Sequence, residues 1–189
     1  MPAEPSVSTF KDKDRHTSYP VREMGEFLWA YMGPKEAPVL SPFDVYARED
    51  GVRAVENFGL SPANYFQVCE NSVDQSHTGI LHGGGGGERS DIWGTEMPKL
   101  TWETMDLGIK ATAYLPGMGY TRASYHILPT MNRLPQPWPR GRFKWPRYSA
   151  MLRTPVDAHH TLVFGVCFTP EIDGKMPDLH DGMAFHLSD

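Results

Sequence analysis

The sequence predicts an α+β fold: an antiparallel sheet with one main helix packed on it. Three observations carry this. The 189 residues include 17 Pro and 18 Gly, the punctuation of a strand-and-loop chain. One stretch, Ala63 to His77, contains neither. From Lys99 onward, apolar and β-branched runs follow one another across short turns, with no helical segment between them, which argues against parallel βαβ winding.

Residues 1–15 read as a flexible lead-in rich in Pro, Ser, Lys and Asp. His16–Gly33 reads as two strands around a turn at Glu23–Gly25, and Gly33–Phe43 as a Pro-rich connection. Val52–Leu60 has β character. Pro62–Leu81 is expected to be helical, with Ser61-Pro62 as N-cap and first position and a possible interruption near Gly79. Tyr65, Phe66, Cys69 and Val73 give that helix a face for a sheet. The five glycines from Gly83 predict a mobile loop, and they lack the Lys-Ser/Thr of a phosphate-binding loop. Strands are expected at Lys99–Met105, Gly108–Tyr114, Tyr120–Leu128, Tyr148–Pro155 and Thr161–Thr169. The polar, turn-rich tail Glu171–Asp189 does not resolve into a finished element.

The net charge of −5 gives no basic field for nucleic acid or acidic lipid. The basic stretch Arg133–Arg153 reads as a solvated loop leading into a strand. Cys69 and Cys167 sit in apolar contexts and read as two buried free thiols in a reducing cytoplasm. No signal peptide is visible, and no apolar run approaches the ~18 residues that span a bilayer.

The strongest chemical signal is Asp74-x-x-His77-x4-His82. Imidazoles and carboxylates are donors that divalent iron, manganese or zinc accept. By itself, His-x4-His is a common accident. Five apart on an α-helix, two side chains point about 140° from each other, so sharing a metal requires the helix to end or loosen between them. Asp74 and His77 are three apart, on one face, where the carboxylate could orient the ring.

In its wider context, ENSVDQSHTGILH resembles the iron-binding segment of the Rieske-type aromatic-ring-hydroxylating oxygenases: Glu70, Asn71, Asp74, His77, Gly79 and His82 all fit that pattern. Ser18–Pro34 (SYPVREMGEFLWAYMGP) is similar to the junction where the family's Rieske domain hands over to its catalytic domain. Thr154–Phe164 (TPVDAHHTLVF) resembles a strand motif of the phthalate-type branch. The three matches stand in the family's order and cover about residues 16 to 169.

The resemblance implies a curved, helix-grip sheet and a domain running over residues 16–189, with 16–34 a remnant of the junction. It implies mononuclear Fe(II) held by His77 and His82, with Asp74 as the electron-transfer bridge to a neighbouring subunit's cluster and Asn71 lining the pocket. The implied reaction is O2-dependent hydroxylation or oxidative demethylation of an aromatic compound. Its partners would be a reductase or ferredoxin electron donor and either two further copies in a homotrimer or a Rieske-containing chain.

Two family features find no match. Cys69 is followed by Glu-Asn and Cys167 by Phe-Thr, so the Cys-x-His and Cys-x-x-His ligands of the [2Fe-2S] cluster are not encoded in this chain. The family's third iron ligand, an aspartate on a C-terminal helix, is not matched by Asp157, Asp173, Asp178, Asp181 or Asp189. The expectation is therefore an incomplete catalytic domain; the alternative is a degenerate paralogue that binds a small molecule without redox activity. His126, His159 and His160 read first as structural, and His180 and His186 as marginal candidates for a metal. Tyr65, Phe66, Trp93, Tyr125 and Phe164 are candidate apolar walls.

Overall fold

The computed structural model describes residues 3–82, 96–116, 119–136 and 145–177. The glycine run, Trp93, Asp178, His180, Asp181, His186 and Asp189 lie outside them. The chain divides into two compact units, residues 1–42 and 43–189.

The first unit holds a helical turn, α1 (Phe10–Lys13), and a hairpin of β1 (Val21–Met24) and β2 (Phe27–Ala30). Gly25 and Glu26 both have left-handed φ, 64° and 67°, as a two-residue type I′ turn requires. The Trp29 indole N–H donates to Met24 O at 2.9 Å, closing the hairpin across its own turn.

The second unit is a seven-stranded sheet in the order β3-β9-β8-β7-β6-β5-β4, antiparallel at every pairing. Its strands are β3 (Gly51–Ser61), β4 (Lys99–Met105), β5 (Gly108–Leu115), β6 (Tyr120–Ile127), β7 (Met131–Gln136), β8 (Arg147–Pro155) and β9 (Thr161–Pro170). The predicted strands are therefore present, and β7 is an addition inside the stretch read as a solvated loop. Pro135 hid it. Proline is tolerated there because β6 pairs only with Met131–Arg133, so at Pro135 one side of the strand is locally an edge.

Two helices cover opposite faces. Side chains alternate along a strand, so register assigns each residue a face. α2 (Asp44–Ala47) buries Val45 and Tyr46 over Arg53, Arg133, Tyr148 and Phe168. α3 (Tyr65–Val73) lies over Arg122, Ser124, His126, Asn132 and Arg153. Phe168, Val166, Leu115, Ala111, Ala113 and Ala150 make up much of the apolar core. Cys69 and Cys167 are buried free thiols, as expected.

The basic stretch departs from expectation. Arg133, Arg147 and Arg153 are each 5–6% exposed. Arg133 forks onto Asp44, with Nε to Oδ1 at 2.9 Å and Nη2 to Oδ2, and donates to Ser149 O at 3.0 Å. Partners brought in by the sheet, 89 residues away in the case of Asp44, hold this side chain inside. Among the described residues, no helix is long and apolar enough to cross a membrane.

Candidate metal-binding site at the end of the sheet-packed helix

α3 starts three residues later than predicted. Ser61 ends β3, and Asn64 is the N-cap, its side-chain oxygen accepting from Phe66 N at 2.9 Å. The same side chain donates to Ala158 O at 2.9 Å, and Thr161 Oγ1 donates to Ala63 O at 2.8 Å. The turn between β8 and β9 thus fixes where the helix begins. Within that turn Asp157 accepts from His159 N at 2.7 Å and meets His160 Nδ1 at 2.9 Å. The Asp-x-His-His motif therefore builds a turn, and both sides of its Asp157–His160 pair are about half exposed.

α3 ends at Val73 because the sheet takes its last carbonyls. Ser124 Oγ donates to Ser72 O at 3.1 Å, and the Trp102 indole donates to Val73 O at 3.1 Å. Gln75, 3% exposed, donates to Ser124 Oγ at 2.6 Å and to Ser72 O at 3.3 Å, and accepts from Arg122. These donors satisfy carbonyls that a helix end leaves open. Gln75 sits between Asp74 and His77 and ties both to β6. Sequence reasoning missed it; its only signal was a polar residue framed by two candidates.

After a break over residues 74–77 comes a π-helical turn, Thr78–His82. The predicted interruption near Gly79 lies earlier, and Gly79 is buried within the turn. A π turn carries more residues per revolution than an α-helix, so positions five apart swing back toward one side. That answers the angular problem of His-x4-His. The His77 and His82 rings lie 5.2 Å apart, centre to centre, at 63°. With nitrogens about 2.1 Å from a shared metal, two imidazoles between a right angle and the tetrahedral angle have centres about 4.6–5.3 Å apart. The donor pair thus fits a single borderline cation. Among the described residues no third His, Cys, Asp or Glu joins them. Asp157 is in its turn with His160, and Asp173 is an exposed turn residue with φ 51°.

Asp74 Oδ1 accepts from Ser76 N at 2.8 Å and from the Ser76 hydroxyl, while Oδ2 stands 3.6 Å from His77 Nδ1. The Ser76 hydrogen bonds hold the carboxyl below its usual range against the opposing effect of burial, with a lesser contribution from His77. It is an ionised acceptor at neutral pH, turned toward the inner nitrogen of His77. Asn71 is exposed on α3. Among the expected apolar walls, Tyr65 is half-buried but Phe66 is 51% exposed. Tyr125 and Phe164 alternate away from α3, because their strand neighbours Ser124 and Gly165 take the helix side.

No family model matches the sequence. Among curated proteins it is 27% identical over 213 aligned positions to the phthalate 4,5-dioxygenase oxygenase subunit of Pseudomonas putida, covering all of this chain and 47% of that protein. It is 41% identical over 73 positions to the 5,5′-dehydrodivanillate O-demethylase oxygenase subunit of Sphingobium sp. (strain NBRC 103272 / SYK-6), covering 39% of this chain and 17% of that protein. Among solved structures, the terminal oxygenase of carbazole 1,9a-dioxygenase from Novosphingobium sp. KA1 aligns with a TM-score of 0.55 at 17% identity, over 89% of this chain and 52% of that one. The chain spans at most about half the length of these relatives. By sequence and by fold together, the chain is a homologue of the oxygenase α subunits of Rieske-type non-heme iron oxygenases.

Proposed function

We propose that the chain forms the mononuclear iron half of a terminal oxygenase acting on an aromatic compound, with His77 and His82 as iron ligands. The observation that carries this reading is the π turn that sets the two rings 5.2 Å apart. His77 Nδ1 faces Asp74, which leaves Nε2 as the nitrogen for the metal. A bound Fe(II) supplies O2 activation for hydroxylation or demethylation. The chain's own residues hold it: Asp74 fixes the tautomer and orientation of His77, and Gln75 anchors both to β6. Asp74 also serves as the bridge for electrons arriving from a cluster on another chain, and Asn71 stands one turn before it. Curated relatives include aromatic dioxygenase and O-demethylase oxygenase subunits. One solved structure of this fold is an oxygenase in complex with a ferredoxin of carbazole 1,9a-dioxygenase, which supports an electron-donor partner.

Anaerobic reconstitution with Fe(II), desalting and elemental analysis test this. About one iron per chain is expected for the wild type, none for His77→Ala or His82→Ala at unchanged circular dichroism, and retained iron for Asp74→Asn. An empty wild-type site sinks the reading; iron lost in Asp74→Asn makes Asp74 a ligand instead of a bridge.

A further inference from the structure

Asp74 stands between two anchored neighbours. On its C-terminal side, Gln75 is tied to Ser124 and Arg122 on β6. On its N-terminal side, the Trp102 indole N–H donates to Val73 O at 3.1 Å, in the peptide that leads into Asp74. Pairing register shows how the sheet reaches both. Trp102, Ala111 and Ser124 form one row across β4, β5 and β6, and Leu100, Ala113 and Arg122 form another row on the same face. Ser124 takes Ser72 O and Trp102 takes Val73 O, so two donors of one row hold consecutive carbonyls. Between them lies Ala111, 1% exposed, whose single methyl group leaves room for the end of α3.

Stability alone does not account for this tryptophan. It sits on the edge strand β4 and is 56% exposed, so it removes little apolar area from water. At an open helix end, water can satisfy a carbonyl as well as an indole can. What water does not do is fix the direction of the peptide. Direction matters here because the chain leaves the helix at Asp74, with φ −83° and ψ 104°. That turn brings the carboxylate onto Ser76 N at 2.8 Å and to 3.6 Å from His77 Nδ1. The Asp74 side chain is 51% exposed, so its placement depends on the backbone beneath it. We propose that Trp102 is a positioning residue for the iron site: by holding Val73 O it aims the Asp74 carboxylate at His77 Nδ1, which keeps the Nε2 of that ring turned to the metal. This deepens the proposed function and rests on it for the metal alone.

Trp102→Phe keeps an aromatic ring and removes the donor, and two readouts test its effect. In the metal-free chain, NMR hydrogen exchange follows the Ser76 amide, which donates to the Asp74 carboxylate. Its exchange is expected to quicken about tenfold in Trp102→Phe, while the Ala113 amide inside the sheet stays unchanged. Co(II), a spectroscopic stand-in for Fe(II), is then titrated against a competing chelator into wild type, Trp102→Phe, Asp74→Asn and the double variant. With Asp74 intact, Trp102→Phe is expected to weaken Co(II) about tenfold and to shift its visible d–d bands. In the Asp74→Asn background the same substitution should change the Kd by less than about twofold, because it acts through the carboxylate. Equal losses in both backgrounds, no loss with Asp74 intact, or an unmoved Ser76 amide overturns the proposal. If Trp102→Phe does not fold, 3-benzothienylalanine at position 102, the same bicycle with sulfur in place of N–H, carries the test. A wild type that takes up no Co(II) removes the iron reading instead, and the Ser76 amide then decides whether Trp102 holds Asp74.

Discussion

The two faces of the sheet treat buried charge in opposite ways. Under α2, Arg133 forks onto Asp44, Arg53 donates to Val45 O at 2.7 Å and to Arg48 O at 2.5 Å, and Arg48, Arg53 and Arg133 lie over the Tyr148 and Phe168 rings. Under α3, Arg153 and His126 are equally buried and lack comparable partners. The first face is finished by the chain itself and serves stability. The second leaves polar groups open directly below the helix that ends at Val73. Unsatisfied buried groups are rare in folded proteins, and where they persist they point to a ligand or a function.

The comparison breaks or sharpens through substitutions on each side. Asp44→Ala should cost the most, about 2 kcal/mol by urea unfolding, because it strands a buried guanidinium; the half-exposed carboxylate keeps this below the cost of a fully buried pair. Gln75→Ala should cost about 1 kcal/mol through its lost hydrogen bonds to Ser124 and Arg122, and should also weaken iron retention at His77. Arg153→Met should lie between no change and a gain of about 1 kcal/mol, since removing an uncompensated buried charge relieves the fold. A loss as large as that of Asp44→Ala would erase the contrast.

The smallest effect is a pH dependence that separates the faces. The native pKa of His126 is lowered, so below about pH 6.5 the unfolded chain takes up a proton that the native chain refuses. Stability should fall as the pH drops through that value, and His126→Gln should flatten the slope. Asp44 behaves differently. Burial alone would raise its pKa, but the hydrogen bond and charge of Arg133 outweigh burial and hold it below 3.8. Its contribution is present above pH 3.8 and is lost only as the pH falls through the depressed native value.

What the sequence revealed divides along the same line. Strand alternation placed the hairpins of β4, β5 and β6 because period-two burial is local. The His77–His82 pair stood out through the family resemblance of its wider context, since His-x4-His alone is a common accident, while helix geometry gave the need for a loosened turn between the two. The π form of that turn was not legible, because Ser124 and Trp102 end α3 from elsewhere in the chain. The buried arginines were misread for the same reason: a basic, Pro-rich run looks solvated until register turns Arg133 toward Asp44 and Arg153 under α3. Pro62 suggested a helix start that Asn64 takes instead, stapled to Ala158.

The central claim is that His77 and His82 share one iron across a π turn. X-ray absorption at the iron edge of the anaerobically reconstituted chain tests it most directly. Outer-shell scattering from two imidazoles per iron is the predicted result, with no retained iron to give a spectrum in His82→Ala. A first shell of oxygen alone, or a wild-type spectrum unchanged by His82→Ala, would contradict the account.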